Sequence, residues 1–488
     1  MKCHRSGSVS RGNTRNIRHL TIQFCFLGFV LMLTTFAQAQ QVFDMRSISD
    51  ADTLEIEVVQ PWRTVNGPVV TRQKLVTINV GEIWAGQDYR VPVRMVVPGD
   101  RKAHGFHLTG GNSPVSLQRE VRPRGTNLEL LKGGVGLVMT VVQEPGSYGK
   151  AELAGAAEAR FAKTLNPHHK IQYWAWPATL MRAVTTAYAE SEYFDEGKVA
   201  VTGASKNGAS PSMAIIHDDR MTALHATVSP IWDSPLRLCD QQAWDEHLAA
   251  GGQQRGFSGG HFGPNFNQRA LNAGQTWEDL QGFAEDISDQ VFISRNLKDL
   301  RDRGVEMLFH PGTHDMVAYD MAWGGAHHPS IPIYLGANSG HGKKGHLKIE
   351  RDQQNKAAFL LRHFFPDKFI ETLLSPPAIE TEVENDVLRV TVRFPPNAGE
   401  ETGRIWWINN RGPDGSPRYL KELIPEDNSK EMTHDVKRGV WTTEIKIDSS
   451  ASRIDLFSNH RKTMKYREFN YPTYISSPYT RVELRDSK

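Results

Sequence analysis

Short apolar runs alternate with longer helical segments between His104 and Phe365, and this alternation restricts the fold more than any other feature of the chain. Each run is flanked by Gly, Pro or polar residues; the runs are GFHLTGG, GVGLVMTVV, KVAVTGAS, ALHATVSP, VEMLFHPG and IPIYLGA. Apolar strands that alternate with helices are typical of a mostly parallel sheet that is covered on both faces. The pattern therefore predicts a doubly wound α/β domain over residues 40–372.

Alternating polar and apolar residues flank this region on both sides. Before it, LEIEVV, KLVTINV and YRVPVRMVV predict strands between Gln40 and about Pro98. After it, LLSPPAIE has the composition of a hinge, and DVLRVTVRF, RIWWI, WTTEIKI and RIDLFSN follow. In DVLRVTVRF the apolar side chains fall on one face of the strand; they are Leu388, Val390, Val392 and Phe394. We expect residues 376–488 to form a separate all-β sandwich.

A stretch over residues 240–289 interrupts the α/β pattern. It is rich in Gln, Gly and aromatic residues and contains no strand-like run, which is typical of an insertion that acts as a lid or substrate wall. Aromatic side chains here would either contact a sugar ring or an acyl group, or only pack the insertion onto the sheet. Those on or near it are Trp232, Trp244, Phe257, Phe262 and Phe266.

The first 39 residues have the features of a secretory signal peptide. They contain five basic residues and no acidic one, then an apolar run from Leu20 to Phe36, then small residues at positions 37 and 39. A single membrane anchor is the alternative, but the run is short for a membrane span. We expect an exported protein, secreted or periplasmic, without stable membrane insertion after cleavage.

Charge and cysteine content exclude several classes of protein. Without the five basic residues of the signal, 52 basic residues stand against 55 acidic ones, and no basic tract suggests nucleic-acid binding. Of three cysteines, two lie in the signal, so the mature chain has Cys239 alone and forms no internal disulfide. No motif that would activate Cys239 lies near it, so we expect a buried, unreactive thiol.

Ser205 lies in VTGASKNG, where an apolar run meets the start of a helix. Ligands bind at the carboxyl ends of parallel strands, so this serine is either part of a tight turn or a nucleophile. In an α/β-hydrolase the nucleophile occupies a strained strand-to-helix turn that needs small neighbours, which Gly203, Ala204 and Gly208 provide. The spacing is G-x-S-x-x-G rather than the commoner G-x-S-x-G. The N–H of Lys206 would then stabilise an oxyanion.

Two further residues follow strands in the order that a triad requires. VEMLFH leads to Asp315, and IPIYLGA leads to His341. The order Ser, Asp, His after successive strands is that of the α/β-hydrolase triad. His341 would act as general base and acid, and Asp315 would orient the imidazole. Asp233, which follows ALHATVSPIW, is the alternative acid; it is otherwise a helix cap.

Other motifs suggest additional parts of the site. HLTGGNS places Gly111 after an earlier strand, where its N–H would be a second oxyanion donor or the glycine would only form a turn. His310 and His314 are four residues apart, but Pro311 and Gly312 interrupt any helix that would align them on a metal. Neither a phosphate-binding loop nor a dinucleotide fingerprint is present. We therefore predict no cofactor and no metal.

The chain resembles the PhoPQ-activated pathogenicity-related proteins, which are exported bacterial proteins of the α/β-hydrolase kind. The motifs that carry the resemblance are FHLTGGNS, YWAWPATLMRAVTTAYAE, VTGASKNG, FHPGTHD and GANSGHG, spread over residues 45–370. The resemblance implies a serine-hydrolase fold with Ser205, Asp315 and His341 as its triad. Pro211 departs from the family pattern, and it predicts that the helix after the serine starts late or bends.

The segment around the serine is also similar to that of glucuronoyl esterases, in which a basic residue follows the serine. This similarity implies that the Lys206 side chain can also contact the oxyanion. Together these observations predict a carboxylic-ester hydrolase that forms an acyl-enzyme on Ser205, with a small-molecule or carbohydrate ester as substrate. A serine peptidase on the same triad and a non-catalytic binding protein on the hydrolase scaffold are the alternatives.

Overall fold

The computed structural model describes residues 41–142, 152–252, 267–317, 320–341, 346–369 and 371–484. The predicted signal peptide, residues 1–39, lies outside the described residues. The described residues belong to one compact unit. Within these ranges, none of the helices combines the length and the apolar character needed to cross a bilayer.

An eight-stranded sheet in the order β1-β2-β3-β5-β4-β6-β7-β8 forms the centre of the described structure. Its strands are β1 (Glu57–Val65), β2 (Thr71–Trp84), β3 (Gln87–Pro98), β4 (Ala103–Thr109), β5 (Gly136–Thr140), β6 (Phe194–Ala204), β7 (Ala223–Thr227) and β8 (Glu306–His310). The first three strands and β5 pair antiparallel, whereas β5, β4, β6, β7 and β8 run parallel. This confirms the predicted α/β-hydrolase fold with a mostly parallel central sheet.

Most of the helices lie in the α/β part, and the last one lies in the C-terminal region. They are α1 (Met45–Ser49), α2 (Pro114–Gln118), α3 (Gly125–Lys132), α4 (Glu152–Thr164), α5 (Ala175–Ala189), α6 (Lys206–His217), α7 (Gln241–Ala249), α8 (Gln268–Asn272), α9 (Trp277–Val291), α10 (Ile293–Asp302), α11 (Met321–His327), α12 (His346–Phe364) and α13 (Pro417–Lys421). Short 3₁₀ helices span Ala51–Leu54, Pro167–His169, Pro366–Lys368 and Glu426–Asn428. Almost every residue of α5 is buried, because this helix packs against both the sheet and α6.

The run IPIYLGA forms only part of the strand that its composition predicts. Ile333 makes one parallel bridge with Phe309 at the outer edge of β8, and regular pairing resumes between β9 (Gly312–His314) and β10 (Gly336–Gly340). Pro311, which lies between Phe309 and Gly312, has no N–H to donate to the edge strand, so a continuous ladder is impossible there. On its other side, the Ile333 carbonyl accepts a hydrogen bond from the N–H of Ser476, much further along the chain.

Two antiparallel sheets form the C-terminal region and share a core, which confirms the predicted β-sandwich. One sheet, in the order β11-β12-β16-β15, contains β11 (Ala378–Glu384), β12 (Val387–Arg393), β15 (Thr433–Asp435) and β16 (Val440–Lys446). The other contains β13 (Thr402–Asn409), β14 (Ser429–Glu431), β17 (Arg453–Tyr466), β18 (Phe469–Ser476) and β19 (Thr480–Glu483). In β13, Ile405 faces the sandwich core, whereas Ile408 joins the core of the α/β part. The central part of the second sheet is therefore covered on both faces.

The predicted insertion, residues 240–289, is helical where it is described. It contains α7, α8 and most of α9, and residues 253–266 lie outside the described residues. Trp244 is buried, with its indole N–H donating to the Leu236 carbonyl at 2.9 Å, and Trp232 is also buried. These two aromatic residues pack into the fold, while Phe257, Phe262 and Phe266 fall in the range that is not described.

Candidate active site

Ser205 occupies the turn between β6 and α6 with an unusual backbone conformation. Its φ is 59° and its ψ is −125°, values that a residue with a side chain rarely adopts. The Ser205 N–H donates to the Thr227 carbonyl at 2.8 Å, so the end of the neighbouring strand β7 stabilises the turn. A strained serine at a strand-to-helix turn is the arrangement of a nucleophile elbow.

The Ser205 hydroxyl does not cap the helix that it precedes. A serine at a helix N-cap normally accepts a hydrogen bond from an N–H of the first turn, but the Ser205 side chain makes no capping bond. Its Oγ lies 2.8 Å from Nε2 of His341 instead. The hydroxyl is thus placed to donate its proton to an imidazole.

His341 follows β10 and bridges Ser205 and Asp315. Its Nδ1–H donates to Oδ1 of Asp315 at 2.8 Å, and the same oxygen accepts the N–H of Val317 at 2.9 Å. The Asp315 side chain is fully buried, whereas 24% of the His341 side chain is exposed. A buried carboxylate beneath a partly exposed imidazole can stabilise a positive charge on the ring while the ring contacts a substrate.

Pro211 lies inside α6, yet the helix begins at Lys206, directly after the serine. The late start that Pro211 suggested is therefore wrong. A proline at this position removes the N–H that would have bonded to the carbonyl of Asn207, four residues earlier. That carbonyl oxygen lies 1.6 Å from where a Cβ of Gly203 would be, so only glycine is compatible with this close approach.

The two candidate oxyanion donors lie around the same turn. Lys206 is the first residue of α6, and a Cβ added to Gly111 would be 3.1 Å from Nδ2 of Asn207. The Lys206 ammonium lies 5.9 Å from the centre of the Trp176 ring. Both backbone groups are therefore beside the serine turn, and their role in oxyanion binding stays a prediction.

Asp233, the alternative acid, makes its contacts elsewhere. Its carboxylate accepts hydrogen bonds from Ser294 at 2.6 Å and from His328 at 3.1 Å, and it pairs with Arg295. Burial raises the pKa of Asp233, but the bonds from His328 and Ser294 and the charge of Arg295 lower it more, so its pKa lies well below the usual range. Asp315, rather than Asp233, contacts His341.

His310 and His314 point to different partners. Nδ1 of His310 lies 2.9 Å from the Asp352 carboxylate, whereas Nε2–H of His314 donates to the Glu422 carbonyl at 2.5 Å. Burial, with a further contribution from Arg411, lowers the pKa of His314 to about 4, so it is neutral at pH 7. Within the part of the chain that the structure describes, no cluster of metal-ligating side chains is found.

Sequence reasoning missed a buried polar network behind the serine. The Thr227 hydroxyl donates to Asp352 at 2.7 Å, and the same carboxylate oxygen contacts His310. The Thr227 carbonyl also accepts the hydrogen bond from the Ser205 N–H. Asp352 lies on α12, well over a hundred residues further along the chain, so no local pattern signals the contact.

Cys239 is buried in a small apolar cluster with Ala162, Ala270 and Leu280. Burial raises the pKa of its thiol far above the ordinary value. This agrees with the expected unreactive thiol, since the thiolate is the reactive form.

No protein-family model matches the chain, and no curated protein does. Solved structures do resemble it. Acetyl xylan esterase 1 from a Thermoanaerobacterium species matches with a TM-score of 0.40 and 13% identity, over 66% of this chain and 94% of the esterase. A glucuronoyl esterase from Sporotrichum thermophile matches with a TM-score of 0.34 and 14% identity, over 63% of this chain and 76% of the esterase.

A puromycin-hydrolyzing peptidase from Mycobacterium tuberculosis is also similar, with a TM-score of 0.35 and 14% identity, over 62% of this chain and 45% of the peptidase. The similar structures thus include both esterases and peptidases. At these identities and TM-scores the likenesses carry no argument about substrate or mechanism. The assignment of the fold rests on the order of the sheet strands.

Proposed function

We propose that this chain is a serine hydrolase that cleaves carboxylic esters through an acyl-enzyme. Ser205 attacks the ester carbonyl while His341 accepts the hydroxyl proton, and Asp315 stabilises the resulting imidazolium. The backbone N–H groups of Lys206 and Gly111 stabilise the oxyanion of the tetrahedral intermediate. His341 then protonates the leaving alcohol, and water, activated by the same imidazole, releases the acid and restores Ser205.

The observation that carries this proposal is the continuous hydrogen-bonded chain from Ser205 to Asp315. The distances of 2.8 Å between Ser205 Oγ and His341 Nε2, and 2.8 Å between His341 Nδ1 and Asp315 Oδ1, lie in the range for proton transfer and for fixing a tautomer. The positive φ of Ser205 supports the same interpretation, because strain of this kind persists only where the surroundings enforce it.

The finer parts of the proposal rest on the sequence. An apolar segment that follows a basic one supports export, and the five motifs quoted above support membership of the PhoPQ-activated pathogenicity-related family. A carbohydrate ester is the substrate class that we propose to test first, because aromatic residues 257, 262 and 266 lie in the insertion. The substrate in this proposal is a small-molecule or carbohydrate ester. The mature protein has no nucleic-acid partner and no stable membrane insertion, and no cofactor takes part.

The experiment is labelling of the mature protein with a fluorophosphonate probe beside Ser205→Ala and His341→Ala variants. We expect labelling of the wild type, none in Ser205→Ala, and a sharply reduced rate in His341→Ala. A folded wild type that does not react would overturn the proposal in favour of a binding protein. Hydrolysis of peptide substrates but not of acetylated or methyl-esterified sugars by a labelled wild type would favour a peptidase.

A further inference from the structure

One segment of the C-terminal region contacts β9 and β10, the two strands that lead to the loops with Asp315 and His341. This segment, residues 411–424, lies between β13 and β14 and includes α13; we call it the clamp segment. Asp315 and His341 lie on separate loops, which follow β9 and β10. The parallel pairing of these two short strands aligns Gly336 with Gly312 and Gly340 with His314.

The clamp segment binds the Asp315 loop on both sides of the carboxylate. Arg411 donates from Nη2 to the Thr313 carbonyl, and the Glu422 carbonyl accepts from Nε2–H of His314 at 2.5 Å. Beyond Asp315, the Asp414 carboxylate accepts the N–H of Asp320 at 2.5 Å. The backbone on either side of Asp315 is therefore attached to residues of the C-terminal region.

The same segment binds β10, the strand that leads to His341, through a reciprocal pair of hydrogen bonds. Asn338 donates from Nδ2 to the Ile424 carbonyl at 3.0 Å, and the Ile424 N–H donates back to Asn338 Oδ1 at 2.8 Å. Asn338 has a φ of 54°, a conformation that asparagine tolerates better than most residues. It lies three residues before His341, on the backbone that leads to the imidazole.

Arg411 is itself held firmly within the C-terminal region. Only 2% of the residue is exposed; its Nη1 donates to the Tyr479 hydroxyl at 2.6 Å, and its guanidinium lies 4.0 Å from the centre of the Tyr419 ring. The Tyr479 hydroxyl in turn donates to Asp455 at 2.9 Å. A planar guanidinium with fixed partners is a rigid attachment point for the Thr313 carbonyl.

We propose that the clamp segment sets the distance between Asp315 and His341, with Asn338 and Arg411 as positioning residues for the hydrolysis. This inference rests on the proposed function. Catalytic groups must be held within about 0.5 Å of the productive geometry. The pairing of β9 with β10 aligns the two strands, and the clamp segment adds hydrogen bonds to both of them from the C-terminal region. The β-sandwich is in this view part of the catalytic apparatus, rather than a module attached to it.

Asn355 provides a matched control. It lies on α12 and makes the same reciprocal pair, donating to the Tyr474 carbonyl at 3.1 Å and accepting the Tyr474 N–H at 2.6 Å. It also joins the α/β part to the C-terminal sheets, but without contacting either triad loop. Asn338→Gly, which removes the side chain and keeps a positive φ accessible, is compared with Asn355→Ala.

We expect Asn338→Gly to lower kcat for an aryl acetate about 10- to 100-fold with KM little changed, the size of effect that a small misplacement of catalytic groups produces. Asn355→Ala should keep kcat within about twofold, even though losing buried hydrogen bonds lowers its Tm. Arg411→Lys, which keeps the charge but cannot reproduce the planar fork, should resemble Asn338→Gly. Equal kcat in Asn338→Gly and the wild type, or equal losses in both asparagine variants, would overturn the inference.

Hydrogen exchange separates a failure of this inference from a failure of the proposed function. The amides of residues 312–315 and 336–341 should exchange faster in Asn338→Gly than in the wild type. In Asn355→Ala their exchange rates should equal those of the wild type. If the wild type does not react with a fluorophosphonate, the proposed function fails, and the exchange data still report whether the clamp segment holds the loops. Unchanged exchange in Asn338→Gly overturns the clamp whether or not Ser205 reacts.

Discussion

Pro211 and Asn207 are four residues apart in α6, and the proline removes the N–H that the Asn207 carbonyl would otherwise accept. This carbonyl instead approaches Gly203, which precedes Ser205 by two residues, more closely than any side chain would allow. The Asn207 carbonyl therefore connects the two features: it contacts the strained turn at Gly203, and it lacks the helical hydrogen bond that Pro211 cannot donate.

Gly203→Ala should disrupt the serine turn, because its Cβ would meet the Asn207 backbone. We expect the rate of fluorophosphonate labelling to fall at least ~100-fold, since Ser205 would move relative to His341. Gly282→Ala is the control: no atom lies within 4 Å of its new Cβ in α9, and alanine favours a helix. Wild-type labelling in Gly203→Ala would show that the close approach is unimportant.

Asp315→Asn should lower kcat by on the order of 10⁴-fold, as an amide at this position favours the wrong histidine tautomer. Asp233→Asn should keep kcat within about twofold but lower Tm, because it leaves Arg295 and His328 without their carboxylate. Steady-state kinetics and thermal unfolding of the two variants test this prediction. The reverse pattern would identify Asp233 as the acid.

Stability should decrease between pH 6.5 and about pH 4. Burial lowers the pKa of His107 to about 4 and that of His460 to about 3, below the value of roughly 6.5 expected in the unfolded chain. The unfolded chain therefore binds more protons in this range, and the stability present above pH 6.5 is lost as pH falls. Tm measured against pH should fall less steeply in His107→Gln than in the wild type, and identical slopes would contradict the prediction.

Cys239 should resist alkylation in the folded protein. Its thiol is buried and its pKa is raised by burial, so little thiolate is available at pH 8. Mass spectrometry should find no iodoacetamide adduct in the native protein and one adduct after unfolding in guanidinium chloride. Rapid reaction of the native protein would mean that the cluster around Ala162 and Leu280 opens readily.

Local patterns predicted the parts of this molecule that depend on local forces. Apolar runs marked β4 to β8, and small residues marked the turn at Ser205, because burial and backbone freedom act on neighbouring residues. The order of Ser205, Asp315 and His341 along the chain predicted these three as a triad but left Asp233 as the alternative acid, and it is Asp315 that contacts His341. The run ending at Ala337 was over-interpreted as a full strand, since Pro311 on the neighbouring strand interrupts the ladder between the two.

Contacts between distant segments left no comparable signal. Nothing in the sequence around Asn338 or Arg411 indicates a bond to the Ile424 or Thr313 backbone, because a backbone carbonyl looks the same at every position. The pairing of Asp352 with Thr227 and His310 depends on how α12 crosses the sheet, which periodicity does not determine. Such contacts form only when the tertiary structure brings two distant segments together, and neither segment alone shows which residue the other will supply.

The five-stranded C-terminal sheet packs against the core of the α/β part, yet the ribosome synthesises it after that part. Ser205, Asp315 and His341 are all synthesised before β11 begins at Ala378. A nascent chain that ends at residue 372 contains all three residues. It still lacks Ser476, which donates a hydrogen bond to Ile333, and the clamp segment, which contacts β9 and β10. Translation order alone thus keeps the surroundings of Asp315 and His341 incomplete until the clamp segment and β18 have been synthesised.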